Sequence, residues 1–277
     1  MFLSDYLEIG EYFDEHGIFD PIMETDSHFF INIQRLKKVN TPEFLGSYEK
    51  INAFFRKIIK LLDKASKKNN RDLFYRQALK MFDFSEKGKV NAIGLGFSEG
   101  ESGSAFGPIL SKQVIDTAYD IVKAGVDDPE FFQLLPLFQD NVGPDRLSDM
   151  IATLILPDIC NYTIRIFREI GVNKDNYPDM DFEDGYLLNP YKKCEVLLVP
   201  IEILHKLPVA KSWEDIDDVV SENNTIRALM NQRVAEEWRQ WSVSNRKYYL
   251  REEMFKKPDL CKQILEDYDK EELSEYN

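Results

Sequence analysis

The chain has 277 residues, of which 43% are hydrophobic and 13% aromatic, so it can bury a full core in one large domain or two smaller ones. Its 49 acidic residues outnumber 35 basic ones, and the net charge of −14 disfavours nucleic acid as a direct ligand. The acidic start and short apolar runs predict a cytoplasmic protein without a membrane span. Three cysteines, Cys160, Cys194 and Cys261, lack the paired spacing of disulfide frameworks and zinc sites.

Helical signals dominate the first part of the chain. Thr41-Pro42-Glu43 combines an N-cap, a first-turn proline and a first-turn acid, which predicts a helix from Thr41 to about Ala65. The widest apolar stripe follows Gly143-Pro144 and predicts a core helix that ends at Gly171, with a kink at Pro157. Shorter elements are predicted at 29–33 (a strand), 71–82, 108–124 and from Asp127 (helices).

The polar stretch Asn173–Asn189 is the clearest internal boundary. After it, Glu195–Val199 gives the best strand pattern of the chain, followed by a turn of helix at Ile201–Leu207. A short helix is predicted over 213–220 and a long charged one from Thr225 to about Phe255, before an acidic tail. The prediction is a mainly α (α+β) fold, with a helical body over 1–172 and a smaller part over 173–277 that has one or two strands and a long C-terminal helix.

A glycine- and serine-rich loop, Gly94–Gly107, lies ahead of two predicted helix starts, at Pro108 and Gly143. A helix start presents unpaired N–H groups and a positive dipole, to which anions and carboxylates are attracted. The loop and the turn at 143–149 are therefore predicted to form a binding surface. Its candidate residues are Ser98, Glu99, Glu101, Ser102, Ser104, Asp145, Arg146 and Asp149.

The loop has several possible functions. Gly96–Gly100 matches the GxSxG pattern of serine hydrolases, but the helix that this pattern needs does not follow. Phosphate binding is a second interpretation, although the loop has no Walker lysine, and Glu99 and Glu101 would repel a phosphate unless a divalent cation lay between them. A flexible connector and a loop that closes over a partner peptide are equally compatible with the composition.

The carboxylates outside the loop also have two interpretations. Asp145 and Asp149 are one helical turn apart and could hold a metal, or they could simply complement the helix dipole and pair with Arg146. Glu24, Asp26 and His28 alternate and would share one side of a strand, where they could join a metal or acid–base site; a structural histidine is the other interpretation. No acid stands two residues before a lysine, a spacing that restriction-type nucleases use.

Four segments resemble the N-terminal half of long, uncharacterised bacterial proteins associated with anti-phage defence and mobile-element loci. In those proteins a restriction-endonuclease-like domain follows, and this chain ends without it. The resemblance implies a sensor or regulatory part that works with a separate effector, and it implies no catalytic residue. The segments are Gly17–His28, Val142–Met150, Leu198–Pro208 and 213–224.

Two functions are therefore left open. The first hypothesis is a non-enzymatic sensor or partner-binding component of a bacterial anti-phage defence system, with a protein partner, no cofactor and an oligomeric state that the sequence does not fix. The alternative is a metal-dependent hydrolase or nucleotide-handling enzyme with its site at the 94–107 loop and the 143–149 helix start. The enzyme requires its carboxylates to converge in space, and the binding component does not.

Overall fold

The computed structural model describes residues 1–84, 88–95, 106–206 and 242–270. Helices dominate these ranges, and the strands form two small antiparallel pairs, which confirms the mainly α prediction. The α-helices are α1 (Leu3–Leu7), α2 (Tyr12–Glu15), α3 (Ile33–Leu36), α4 (Ser47–Lys64), α5 (Leu73–Met81), α6 (Pro108–Lys123), α7 (Leu135–Phe138), α8 (Pro144–Leu154), α9 (Leu156–Glu169), α10 (Val243–Lys256) and α11 (Pro258–Lys270).

The strands are β1 (Phe29–Ile31), β2 (Phe182–Glu183), β3 (Tyr186–Leu187) and β4 (Leu204–Lys206). β1 pairs with β4, with Phe29 opposite Lys206, and β2 forms a hairpin with β3. The first pairing joins a strand from the predicted helical body to one from the predicted smaller part. The division of the chain at residue 172 therefore stays a prediction.

α4 lies at the centre of the helical body and packs against α5, α6 and the 3₁₀ helix Pro129–Leu134. Its apolar face is buried because hydrophobic residues recur at helical spacing. The faces that meet there are rich in aromatic rings, and Phe55 stacks on Phe132 with ring centroids 4.3 Å apart. The buried side chains of α4 include Ile51, Phe55, Ile58, Ile59 and Leu62.

The helix predicted from Thr41 begins later than expected. Pro42–Phe44 form a short 3₁₀ helix, and α4 starts only at Ser47 after Gly46. The Thr41 hydroxyl does not cap this turn, because it donates a hydrogen bond to the Glu202 carboxylate, which also accepts from the Thr41 N–H at 2.8 Å. A contact between residues far apart in the chain therefore replaced the local cap.

The predicted core helix over 143–171 consists of two helices. α8 and α9 meet at Ile155 with an angle of 75°, and Pro157 lies in the first turn of α9. Proline lacks the N–H that would continue α8, so the predicted kink is a full break. No single described helix is long and apolar enough to cross a membrane, although α8 and α9 pass that length and composition test as a bent pair.

The prediction of a strand at Glu195–Val199 is wrong. Val196 to Val199 are at most 2% exposed, yet they lie outside the strands, and their backbone groups bond to four different parts of the chain. Burial from all sides explains the continuous apolar run, which resembles a strand in sequence. The bonds join the N–H groups of Val196, Leu197 and Leu198 to Leu187 O, Ala92 O and Thr163 Oγ1, and the Phe19 N–H to Val199 O.

The C-terminal prediction is only partly covered by the described residues. The helix expected at 213–220 and the first part of the helix expected at 225–255 lie outside them. The remainder is helical in α10, and α11 begins at Pro258 directly after it. The turn of helix expected at Ile201–Leu207 is a 3₁₀ helix over Ile201–Ile203 that continues into β4.

Candidate functional site

The predicted loop residues Ser98, Glu99, Glu101, Ser102 and Ser104 lie outside the described residues. Both ends of the loop are described. Before it, Gly94 accepts a hydrogen bond from the Ser27 N–H at 2.8 Å, and Leu95 forms a backbone bridge with Ser27. After it, Phe106 is buried against Phe82 with ring centroids 5.6 Å apart. The loop therefore begins beside Ser27 and ends in the core.

The predicted site at the start of α8 lies beside a lysine of α10. Asp145, Arg146 and Asp149 are half-buried, and Arg146 donates to the Asn141 carbonyl. Lys247 of α10 donates from Nζ to the carbonyl oxygens of Gln139 at 3.0 Å and Val142 at 2.8 Å. The turn that leads into α8 is thus held by a lysine from a distant helix.

Burial lowers the pKa of Lys247, and the positive charge of Arg146 lowers it further. Asp140 and Asp145 oppose that shift. Asp145 therefore acts electrostatically on a lysine of the same chain. That role is closer to the structural interpretation of this helix start than to the ligand-binding one.

The described residues contain no metal centre. Within the described ranges, no three His, Cys, Asp or Glu side chains group together so as to hold a metal ion. Glu24 does not join Asp26 and His28, because it accepts a hydrogen bond from the N-terminal amine of Met1 at 2.7 Å. The alternating acids thus separate, and only Asp26 and His28 line a common cleft.

That cleft, called the acidic cleft below, has a volume of about 890 Å³ and lies between α1, α2 and residues 19–29. Five carboxylates, one imidazole and three hydroxyl groups line it together with apolar side chains, and no lysine or arginine is among the described residues of its lining. The charged and polar lining residues are Asp5, Glu11, Asp14, Asp20, Asp26, His28, Ser4, Thr25 and Ser27, and the large apolar ones are Phe2, Phe19, Ile22, Phe29 and Ile201.

Backbone turns assemble the acidic cleft. The Leu3 N–H bonds to Pro21 O at 3.1 Å, which places α1 beside residues 20–23. Gly10 (φ +62°) turns the chain between α1 and α2, and Gly17 (φ +63°) turns it again after α2. A left-handed φ favours glycine, so these two positions suit the turns. Carboxylates from three separate segments consequently face one cavity.

Asp20 is half-buried, as Asp26 is, whereas Asp5, Glu11 and Asp14 are exposed. Asp20 accepts hydrogen bonds from Ser4 N at 3.0 Å and Ser4 Oγ at 2.5 Å. Burial raises the pKa of Asp20, and the charges of Asp5 and Asp14 raise it further, while the two bonds from Ser4 lower it. The pKa of Asp20 therefore depends on the charge of the neighbouring carboxylates of the acidic cleft.

Among the described residues, one ion pair brings positive charge to this cleft. Lys192 pairs with Asp26 at 2.6 Å from outside the lining. In the part of the chain that the structure describes, Asp5, Glu11 and Asp14 form no ion pair. The interior of the acidic cleft therefore carries a net negative charge, which favours a cationic ligand.

Sequence reasoning considered Asp26 and His28 but not Asp5, Glu11, Asp14 or Asp20. The sequence does contain a regular pattern in this region, since acids recur at every third position from Asp5 to Asp14. That spacing is typical of a solvated helix face. Gly10 and Gly17 were the features that distinguished a folded cleft from a straight helix.

Residues 8–211 match the family model described as a domain of unknown function, DUF8370. No curated protein and no solved structure matches the chain. The match includes Glu11, Asp14, Asp20 and Asp26 of the acidic cleft, and it ends before α10. Because the match spans most of its length, the chain belongs to the DUF8370 family.

Proposed function

We propose that the protein is a non-enzymatic binding component that captures a positively charged segment of a partner protein in its acidic cleft. The cleft's lining carries the proposal, since its described residues combine five carboxylates and several apolar side chains and include no lysine or arginine. A ligand with positive charge and aliphatic stems complements both features. Lysine and arginine side chains have that character.

The contacts expected for such a ligand follow from the position of each group. The stem of a lysine or arginine would lie on the accessible apolar residues Phe2 and Phe29, and its charged end would reach Asp14 and Asp20. The volume of about 890 Å³ lies within the range of ligand-binding pockets and accommodates a few side chains. A short peptide segment therefore fits the cleft better than a broad flat surface does.

The biological part of the proposal rests on the resemblance to proteins of anti-phage defence loci. One of the resembling segments, Gly17–His28, supplies Phe19, Asp20, Asp26 and His28 to the acidic cleft. We therefore propose a cytoplasmic sensor of a bacterial defence system, whose partner is an effector or a phage protein with an exposed basic segment.

Peptide binding to the full chain tests the molecular part. Fluorescence anisotropy should show saturable binding of a labelled lysine-rich peptide and no binding of a glutamate-rich peptide of the same length. The double variant Asp14→Asn/Asp20→Asn should weaken binding about tenfold or more, because two charge-assisted contacts are lost. The matched control is Asp175→Asn/Glu183→Gln, which changes net charge equally at exposed positions away from the cleft. Equal affinities of the two double variants would mean that overall charge, and not the cleft, attracts the peptide.

Phage infection of the native host tests the biological part. Cells that produce the wild-type chain should reduce plaque numbers, and cells that produce Asp14→Asn/Asp20→Asn at the same level should lose that protection. Proteins that co-purify with the wild type but not with the variant should expose a basic segment. Equal protection by both chains would show that the acidic cleft does not contribute to defence.

The enzyme alternative retains one testable consequence. Since no three His, Cys, Asp or Glu side chains of the described residues group together to hold a metal ion, its ligands would have to include residues outside the described ranges, and the alternative names those of the 94–107 loop. Thermal-shift measurements with Mg²⁺, Mn²⁺ and ATP should therefore leave Tm unchanged if the binding proposal is correct. A cation-dependent rise in Tm that Glu99→Gln/Glu101→Gln abolishes would favour the enzyme.

A further inference from the structure

The carboxylates of the acidic cleft fall into two groups with different surroundings. Asp5, Asp14 and Asp20, called the Asp20 group below, share one electrostatic environment, since the charges of the first two raise the pKa of Asp20. Asp26 also lines the cleft, but its Oδ1 accepts a hydrogen bond from Lys192 Nζ at 2.6 Å. The negative charge of Asp26 is therefore offset by a lysine of the same chain.

The ion pair between Lys192 and Asp26 is partly withdrawn from water. Its two side chains are 23% and 17% exposed. Solvent and salt screen such a pair less than they screen a pair at the open surface. A second cation at Asp26 would also meet the positive charge of Lys192, and like charges repel each other. Asp26 therefore attracts a cationic ligand much less than the Asp20 group does.

A buried asparagine fixes the backbone on which Lys192 lies. Asn189 is 7% exposed, and its Oδ1 accepts from the N–H groups of Tyr191 at 2.9 Å and Lys192 at 3.1 Å. Its Nδ2 donates to the Met23 carbonyl at 2.9 Å, which ties this turn to the segment that contains Asp26. Lys192 is thus held beside Asp26 by the fold, and the pair loses little backbone freedom when it forms.

We infer that Lys192 restricts the acidic cleft to one cationic subsite, at the Asp20 group, because it holds Asp26 in an internal ion pair. The inference rests on the proposed function and adds the charge pattern of the ligand. The partner segment carries one cluster of basic residues for the Asp20 group and uncharged residues where it passes Asp26. Lys192 is in this sense a specificity-determining residue, and loss of its charge opens a second subsite at Asp26.

Two arginine peptides of equal length test the inference on the full chain by fluorescence anisotropy. One has an arginine pair at one end, the other has such a pair at both ends, and glycine and serine fill the remaining positions. The wild type should bind the two peptides with affinities within about threefold, because the second pair finds no available carboxylate. Lys192→Met should bind the two-pair peptide about tenfold more tightly than the wild type does, since Asp26 then accepts a charge-assisted contact, and should gain much less for the one-pair peptide.

The matched control is Lys193→Met, which removes the same charge from the neighbouring, exposed lysine and should bind both peptides like the wild type. The double variant Asp26→Asn/Lys192→Met removes both charges of the ion pair and should lose the gain for the two-pair peptide. An equal gain for both peptides in Lys192→Met, or the same gain in Lys193→Met, would overturn the inference, because overall charge would then explain the effect. A double variant that keeps the gain would overturn it as well, because Asp26 would not be the second subsite.

The wild-type chain keeps the inference testable if circular dichroism shows that Lys192→Met does not fold. A wild type that binds the two-pair peptide about tenfold more tightly than the one-pair peptide would contradict the inference, because both subsites would already be open. In that case the proposed function stands, since a basic peptide still binds. Binding of neither peptide by any of the chains would contradict the proposed function, and the inference with it.

Discussion

The acidic cleft and the start of α8 are both rich in charged side chains, but they differ in how these charges are satisfied. At α8, Arg146 and Lys247 donate to backbone carbonyls, and the buried Ser148 accepts from the Ile31 N–H at 2.9 Å. In the cleft, Asp5 and Asp14 form no ion pair within the described ranges. Charged side chains that bond to other groups of the chain stabilise the fold. Carboxylates that lie together without a cationic partner lower stability and favour a ligand of positive charge.

The largest effect on stability is expected from the loss of a buried hydrogen bond. Thr163 is fully buried, and its Oγ1 accepts from Leu198 N at 2.8 Å while donating to Ile159 O at 2.9 Å. Thr163→Val should lower the free energy of unfolding by about 2–3 kcal/mol, since the Leu198 N–H is left buried without a partner. Urea unfolding followed by circular dichroism measures this loss.

Thr153→Val is the matched control for that measurement. Thr153 is half-buried and donates only to the Asp149 carbonyl at 2.8 Å, within its own helix. Its loss should stay below about 1 kcal/mol. Equal losses in both variants would mean that the bond from Thr163 to the 196–199 segment adds nothing to stability.

A smaller effect is expected where the acidic cleft meets the glycine-rich loop. Gly94 has φ +74°, and a Cβ there would lie 3.5 Å from Pro21 Cβ, an ordinary contact. Gly94→Ala should therefore cost about 1 kcal/mol, from backbone strain alone. Gly107→Ala is a comparison without strain from φ, because Gly107 has φ −65° and open space at its Cβ position; as the N-cap of α6 it should lose only roughly 0.5 kcal/mol, since alanine caps helices less well than glycine. A Gly94→Ala variant as stable as the wild type would remove the strain argument.

The smallest effect is the pH dependence of the acidic cleft. Because the folded-state pKa of Asp20 is raised above its ordinary value of 3.8, protonation favours the folded state. This contribution is fully present below pH 3.8 and is lost as pH rises through the raised pKa. The stability difference between Asp20→Asn and the wild type should therefore shift in favour of the variant between pH 3 and pH 7.

Urea unfolding of both chains across this pH range gives the difference directly. Asp175→Asn, an exposed aspartate far from the cleft in sequence, should show a smaller shift. A difference between Asp20→Asn and the wild type that moves in the opposite direction would mean that the two hydrogen bonds from Ser4 outweigh burial and the neighbouring carboxylates.

Helix limits set by local residues were predicted well. α6 was expected over 108–124 and spans Pro108–Lys123, because Pro108 begins it and Gly125 follows it with φ +102°. A helix was expected from Asp127, and the structure has the short 3₁₀ helix Pro129–Leu134 there, with the Asp128 side chain as its cap. Both signals act within a few residues of the element that they start or end.

Features that depend on distant contacts were not predictable in this way. Thr41 had the composition of an N-cap, but Glu202 bonds to it from the other end of the domain. The carboxylates of Asp5, Asp14 and Asp20 share a cleft only because the chain turns back twice between them. Periodicity within one segment contains no information about which segments meet.

The hydroxyl groups of α8 and α9 have a consequence for amide hydrogen exchange. Ser148 accepts a hydrogen bond from the N–H of Ile31 on β1, and Thr163 accepts one from the N–H of Leu198. Ile31 and Leu198 are at most 1% exposed, so water reaches these two amides only when the surrounding core opens. Their exchange rates therefore measure the opening of the core, although neither amide belongs to a regular backbone ladder across a sheet.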